Sequence, residues 1–464
     1  MTEGITDAEI DLPSEADLAD IQGIVYSGWT DHPYAGFVFA TLGPDAAASR
    51  AWLDSLRHSV TPVAKRCRRP QGRLQVALSP SGLAALGVPH DVIAMMPVEA
   101  TEGMATRQRA LADSDPATWK LGGPTDPLDV LVMVYARTGE DRDAQVQRER
   151  AALEAAGARV VASETSGPLV KNEHFGFADG VSQPFLSGQH TRPRPGEDRI
   201  ATGEIVLGYR NAYGKLPITP QWGNCDLGRN GTYLVFRKLQ QHVAAFWGWV
   251  ADQARHLGGS DPAAVDALTA KLGAKVMGRW ISGASLVLTP DHDDRAFATL
   301  DRINAFAYLD RDADGLACPI ASHARRANPR DARGGPAEMS TKVVNRHRIL
   351  RRGRSYGPQL PYEAAIAGRD DGAQRGLYFI CLQASIARGF EFIQQTWLAN
   401  PGFLGLNGEP DPIIGGGGGR PAYLTIPADP IRLRLPNVPA VVHNLGGGYF
   451  FVPSLAALER IATG

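Results

Sequence analysis

Three short stretches carry side chains that could act together on a bound cofactor. The first is Cys318-Pro319-Ile320-Ala321-Ser322-His323-Ala324-Arg325-Arg326-Ala327-Asn328-Pro329-Arg330, one histidine among arginines. A neutral imidazole is a good iron ligand, and guanidinium groups pair with the carboxylates of an anionic cofactor. The second is Gly176-Phe177-Ala178-Asp179-Gly180, an aspartate between glycines that allow a tight backbone path beside a flat ligand. The third is Ile349-Leu350-Arg351-Arg352-Gly353-Arg354-Ser355-Tyr356-Gly357, where Arg351 precedes a glycine-containing turn. Each has a plain alternative: a solvated basic turn, a turn aspartate capping backbone N–H groups, a surface cation in an arginine run. Read together, they offer an imidazole, a carboxylate and a guanidinium from three distant loops that could converge on a haem.

The rest of the chain must position them. Its 464 residues suggest two or more domains, or one with a split core. Hydrophobic residues make up 44%, charged residues 21%, and the net charge is -1. That balance suits a soluble globular protein and argues against a dedicated nucleic-acid or anionic-membrane binder. The cysteines at 67, 225, 318 and 381 form no C-x-x-C pair. Reduced, buried thiols of a cytosolic protein are expected rather than a zinc or dithiol site. The acidic first 20 residues show no secretory or twin-arginine signal and read as a disordered arm. No run of about 18 apolar residues predicts a membrane span.

Apolar runs predict strands at 36–42, 74–78, 128–136 and 158–164, with helices at 46–58, 79–86 and 142–156. This β-α-β, β-α-β order is the ferredoxin-like pattern, an antiparallel sheet with helices on one face. Residues 165–225 lack a period, and a connection that long usually carries function. A second strand-and-helix series follows: strand 231–239, helix 241–257, strands at 284–288 and 376–382, and an amphipathic helix over 387–400. In that helix Phe390, Ile393 and Trp397 share a stripe. The glycine run at 415–419 reads as a flexible loop, and 447–454 as a strand entering the final helix.

These motifs resemble the dye-decolourising (DyP-type) haem peroxidases. G-x-x-D-G is met at 176–180, the proximal C-P-x-x-x-H with N-P-R at 318–330, and the distal arginine motif by Arg351, Tyr356 and Gly357. Similar segments, from Asp20-Ile21-Gln22-Gly23 to Tyr449-Phe450-Phe451-Val452-Pro453-Ser454, extend the likeness over nearly the whole chain.

The resemblance implies an α+β protein of two ferredoxin-like domains, 1–190 with the distal loop and 191–464 holding one haem b. It implies a peroxidase in which hydrogen peroxide oxidises phenolic, dye-like or other small-molecule donors through a ferryl-oxo intermediate. His323 would be the iron ligand, Asp179 the acid–base residue and Arg351 the distal cation. Gly180, Val181, Ser182, Arg325, Arg330, Leu377, Phe379 and Glu391 are the expected cofactor-binding residues. Arg325 and Arg330 would face the propionates, and Glu391 would accept the His323 N–H. Tyr356 and Trp397 are candidates for carrying electrons from bulky donors. Ser355, where the family often has proline, suggests a looser turn. No nucleic acid or membrane partner is expected. The chain looks like a larger cytoplasmic bacterial member. A haem-handling, deferrochelatase-like protein is the alternative.

Overall fold

The computed structural model describes residues 11–63, 72–186, 193–258, 260–415 and 422–464. Most of the glycine run and the first ten residues lie outside these.

The first series of elements forms where the apolar runs predict it. Strands β1 (Tyr34–Thr41), β2 (Arg73–Leu78), β3 (Val130–Ala136) and β4 (Arg159–Thr165) alternate with α1 (Ala46–Arg57) and α2 (Gly139–Ala155). The interior of β1 and the whole of β3 are buried on both faces, so they read as continuous apolar runs rather than alternating ones. Asp45 caps α1 by accepting from Ala47 and Ala48 N–H, and Thr138 caps α2.

The second series comprises β5 (Thr232–Gln241), β6 (Leu350–Arg351), β7 (Arg354–Tyr356), β8 (Gly376–Gln383) and β9 (Val442–Val452). Helices α3 (Val243–Gly258) and α4 (Pro262–Met277) follow β5, and α5 (Leu455–Thr463) closes the series. All pairings in the main sheet are antiparallel, in the order β6-β8-β5-β9-β2-β3-β1-β4, with β7 also on β8. Ranked by chain position, with β6 and β7 counted as one strand interrupted at 352–353, each half repeats one order: fourth, first, third, second. That is the ferredoxin-like order, and Phe451 pairing with Leu78 joins the halves.

The halves also meet face to face. Phe37 and Phe39 of β1 stand 5.3 and 4.8 Å from Phe236 of β5, and Phe37 stands 5.2 Å from Tyr378 of β8. The alternate residues of β5 and β8, Arg237, Leu239, Leu377 and Phe379, point to the opposite face and line a cavity. Among the described residues, no helix is long and apolar enough to cross a membrane.

Four local expectations change. Within the supposed disordered arm, Glu15–Asp20 is a helix: Ser14 and Asp17 form a reciprocal capping box, and Leu18 is buried. Residues 284–288 form a turn, not a strand. Thr289 N–H donates to Ser285 O, and the apolar side chains pack on Trp280 and Cys318. The stripe of Phe390, Ile393 and Trp397 is buried, but over Ala387–Glu391 and Ile393–Leu398 the chain winds more widely. Glu391 and Ala399 N–H donate to carbonyls five residues back. Such π-helical turns concentrate near functional sites. Ser355 pairs with Leu377 in β7, so the segment after Arg351 is a sheet edge rather than a loose turn.

Candidate active site

His323 opens a one-turn helix, His323–Ala327. Its Nδ1 lies 3.1 Å from both carboxylate oxygens of Asp411. This leaves Nε2 as the nitrogen facing the cavity that His323 lines. Asp411 is fixed in turn, its Oδ1 accepting Ile413 and Ile414 N–H at 2.9 and 2.8 Å. Burial raises its carboxyl pKa, but His323, Arg326 and Ile414 N–H outweigh it and hold the carboxyl below its usual value. Burial likewise opposes the charged His323 imidazole, while the Asp411 carboxylate carries its pKa above the ordinary value.

Arg326 locks these pieces together. Its guanidinium donates to the carbonyls of Trp397, Leu398, Asn400 and Glu409. It thereby ties the His323 turn to the wide helix and to the loop bearing Asp411.

Across the cavity, Asp179 and Arg351 form a pair: Arg351 Nη1 donates to Asp179 Oδ1 at 3.2 Å. The same oxygen accepts Gly180 N–H at 2.6 Å. Gly180 has φ 72°, a conformation that favours glycine. Arg351 is held from behind by Gln183, whose amide accepts Arg351 N–H at 3.1 Å and donates to its carbonyl at 3.2 Å. Arg352 donates to the carbonyls of Ile24 and Val25, anchoring the next residue.

The cavity between these groups has a volume of about 280 Å³. Leu377 and Phe379 line it, as do Val181, Ser182 and Arg330, while Gly180 does not. Arg330 donates to Asn304 and Phe306 carbonyl oxygens at 3.0 and 3.2 Å. Arg330 and Arg351 stand close enough to depress Arg279 and Arg348. Burial, then Arg330, brings Arg279 down to about 10; burial brings Arg348 to about 10 against the pull of Asp198.

Two expected contacts are corrected. Arg325 does not reach the cavity: it is 1% exposed, paired with Asp312 at 3.0 Å, donates to Cys318 O and stacks on Tyr308. Glu391 does not meet His323. Arg107 grips both its oxygens at 2.6 and 2.7 Å, and Tyr449 OH donates to it at 2.9 Å. Tyr356 and Trp397, at 6% and 1% exposed, are both core residues beyond the reach of a bulky donor. Sequence reasoning missed Asp411, Gln183 and Glu173. The only local signal for Asp411 was an aspartate set to cap the N–H groups after it, an ordinary turn device.

No family model matches the chain. A curated relative, a dye-decolorizing peroxidase of the fungus Auricularia auricula-judae, is 30% identical over 475 residues, 96% of this chain and 88% of that one. This chain belongs to the dye-decolourising peroxidase family. A second relative, a multifunctional dye peroxidase of an Amycolatopsis strain, is 30% identical over 90% of each chain. The crystal structure of a fungal DyP-type peroxidase from Auricularia auricula-judae superposes with TM-score 0.83 at 28% identity, covering 96% of this chain and 99% of that one. An ancestral D-type dye decolorizing peroxidase gives 0.81 at 29%. The dye-decolourising peroxidase fold therefore spans the two-part sheet and the cavity together, and the family's cofactor is haem.

The residues of this dye-decolourising peroxidase suit that cofactor. One imidazole with a free cavity-facing nitrogen is the donor a haem iron needs. Among the described residues no group of three or more His, Cys, Asp or Glu is arranged to hold a bare metal ion.

Proposed function

We propose that the cavity would hold haem b, with His323 as the residue that binds its iron, Arg330 and Arg348 as partners of its propionates, and Asp179 with Arg351 as the residues that meet peroxide. The observation that carries this reading is the opposition of two arrangements across one cavity: His323 on Asp411, and Asp179 on Arg351. Charge supports a cofactor that carries propionates. Among the described residues Arg330 and Arg279, both at the cavity, donate to neutral oxygens of Asn304, Phe306, Gly283 and Ile303 and to no carboxylate. Cationic charge is therefore available there for a carboxylate of the cofactor.

The protein is an oxidoreductase that uses hydrogen peroxide to oxidise dye-like organic donors. Haem, when bound, supplies the iron that takes up peroxide and the electrons that reduce it. The protein moves protons and steadies charge. Asp179 takes the proton from the peroxide oxygen nearer the cofactor and returns it to the oxygen that leaves as water. Its Oδ1 is committed to Gly180 and Arg351, and among the described residues Oδ2 receives no protein hydrogen bond, so Oδ2 is the proton carrier. Arg351 opposes the negative charge that develops on the departing oxygen. Asp411 holds the Nδ1 proton of His323 and raises the donor strength of Nε2.

The assignment as a larger, cytoplasmic bacterial-type member is part of the proposal; the Amycolatopsis relative supports its bacterial side.

The deciding experiment mixes the haem-loaded protein with one equivalent of hydrogen peroxide and follows the Soret band, for the parent, Asp179→Asn, Arg351→Leu and His323→Ala. A fast spectral change in the parent, slowed at least a hundredfold in the two distal variants, with ligation lost in His323→Ala, is expected. A parent whose Soret band does not respond to peroxide, and which releases free protoporphyrin on longer incubation with haem, would instead establish the haem-handling reading.

A further inference from the structure

The cavity wall holds a second carboxylate besides Asp179, and the mechanism above does not use it. Glu173 lies on the same loop and gathers three donors. Its Oε2 accepts Phe175 N–H at 2.9 Å and Gln241 Nε2 at 2.6 Å, and its Oε1 accepts Phe177 N–H at 3.0 Å. Its backbone closes the same turn: Glu173 N–H donates to Phe177 O at 3.0 Å, and Gly176 N–H donates to Glu173 O at 2.8 Å. One side chain thus secures alternate N–H groups of the turn leading into Asp179. Gln241 fastens that side chain to β5, the strand that also brings Arg237 and Leu239 to the cavity. Trp247 Nε1 pins the same turn from outside through Phe175 O at 2.8 Å. Past the turn the hold is lighter: Ala178 N–H reaches Ile281 O at 3.1 Å, Asp179 N–H reaches Lys171 O at 3.0 Å, and the Asp179 side chain is 37% exposed.

We propose that Glu173 is the positioning residue of the distal loop: its carboxylate fixes the turn at Phe175 and Phe177 and so sets where Asp179 stands over the cavity, without itself meeting peroxide. The inference rests on the role of Asp179 given above. The chemistry requires a carboxylate. Three donors converge on two oxygens, and a glutamine would turn an NH2 group toward one of them, leaving a donor facing a donor. An aspartate lacks the methylene needed to reach both N–H groups.

The test compares Glu173→Gln, Gln241→Met, Asp179→Asn and the Glu173→Gln/Asp179→Asn pair, with two readouts. One is amide hydrogen exchange at Phe175 and Phe177, measured with and without haem. The other is the second-order rate constant with hydrogen peroxide at equal haem loading. In Glu173→Gln the two amides are expected to exchange at least tenfold faster while those of β5 stay protected. The peroxide rate falls at least tenfold, and the double variant is no slower than Asp179→Asn. Gln241→Met, which removes one of the three donors, shifts both readouts severalfold the same way. Unchanged protection at Phe175 and Phe177, or losses that multiply in the double variant, would overturn the inference. If Glu173→Gln does not fold, parent-like exchange and rate in Gln241→Met overturn it. A parent-like rate in Asp179→Asn overturns the role of Asp179 and the inference with it. A slow Asp179→Asn beside a parent-like Glu173→Gln overturns the inference alone.

Discussion

His323 and Asp411 form an imidazole–carboxylate pair whose carboxylate is fully buried, with Nδ1 3.1 Å from each oxygen. Asp411→Asn tests its charge with little change of shape. The asparagine oxygen can occupy the Oδ1 position and keep Ile413, Ile414 and the imidazole N–H as donors. What is lost is the negative charge behind the ligand. Haem affinity or activity is expected to fall about ten- to hundredfold, measured by the rate of haem loss to an acceptor protein. The iron reduction potential should rise in the same variant.

Glu391 belongs to a different network, and its removal should have a different signature. Glu391→Ala strips Arg107 of its bidentate acceptor and Tyr449 of its hydroxyl partner. Breaking a pair this sheltered costs about 3 kcal/mol, to be read as a lowered midpoint in denaturant-induced unfolding. Haem loss from the folded protein should stay near the parent rate, unlike that of Asp411→Asn.

The contrast between Asp411 and Glu391 marks how far the sequence could be read. Local signals sufficed for most strands and helices and for the motifs holding His323, Asp179 and Arg351. Choosing the carboxylate that faces His323 was beyond them. Asp411 lies 88 positions away on a loop with no periodicity, and Arg326, a residue with no distinctive spacing of its own, fixes that loop through carbonyls. Glu391 stood on a recognisable amphipathic helix, but the wide winding of that helix changes where each side chain points. Arg325 failed as a propionate partner for a similar reason: Asp312 had already claimed it. The turn at 284–288 shows that apolar burial alone does not make a strand.

Arg330 and Arg325 stand in one motif but should separate cleanly. Arg330→Ala is expected to weaken haem binding about ten- to hundredfold, the worth of a charge-assisted hydrogen bond, in a titration of haem-free protein. Arg325→Met leaves Asp312 buried without its cation and should lower stability by about 3 kcal/mol. The haem affinity of the folded fraction should be unchanged.

Glu173 also makes stability depend on pH. Desolvation raises its carboxyl pKa to about 7; Phe175 N–H, Gln241 and Phe177 N–H pull it down, and the Asp179 charge adds to the rise. An acid with a higher pKa in the folded chain binds its proton more tightly there than in the unfolded chain. The three donors hold the ionised form in place, but the cost of burying its charge outweighs them, so this group's contribution to folding stability is greatest below the unfolded value and falls as pH rises through about 7, by at most about 1.4 kcal/mol per pH unit. Melting temperatures measured between about pH 5 and pH 8 should therefore show a downward component with rising pH that Glu173→Gln abolishes.

The pairing of Phe451 with Leu78, where β9 joins the two halves of the sheet, has a consequence for biogenesis. Val442 of the same strand forms part of the cavity wall. During synthesis β1 to β4 and the Asp179 loop leave the ribosome long before β9 exists. The cofactor chamber is thus finished by one of the last segments to be made. A nascent chain stalled before β9 would hold His323 and Asp179 in a chamber that still lacks the Val442 part of its wall.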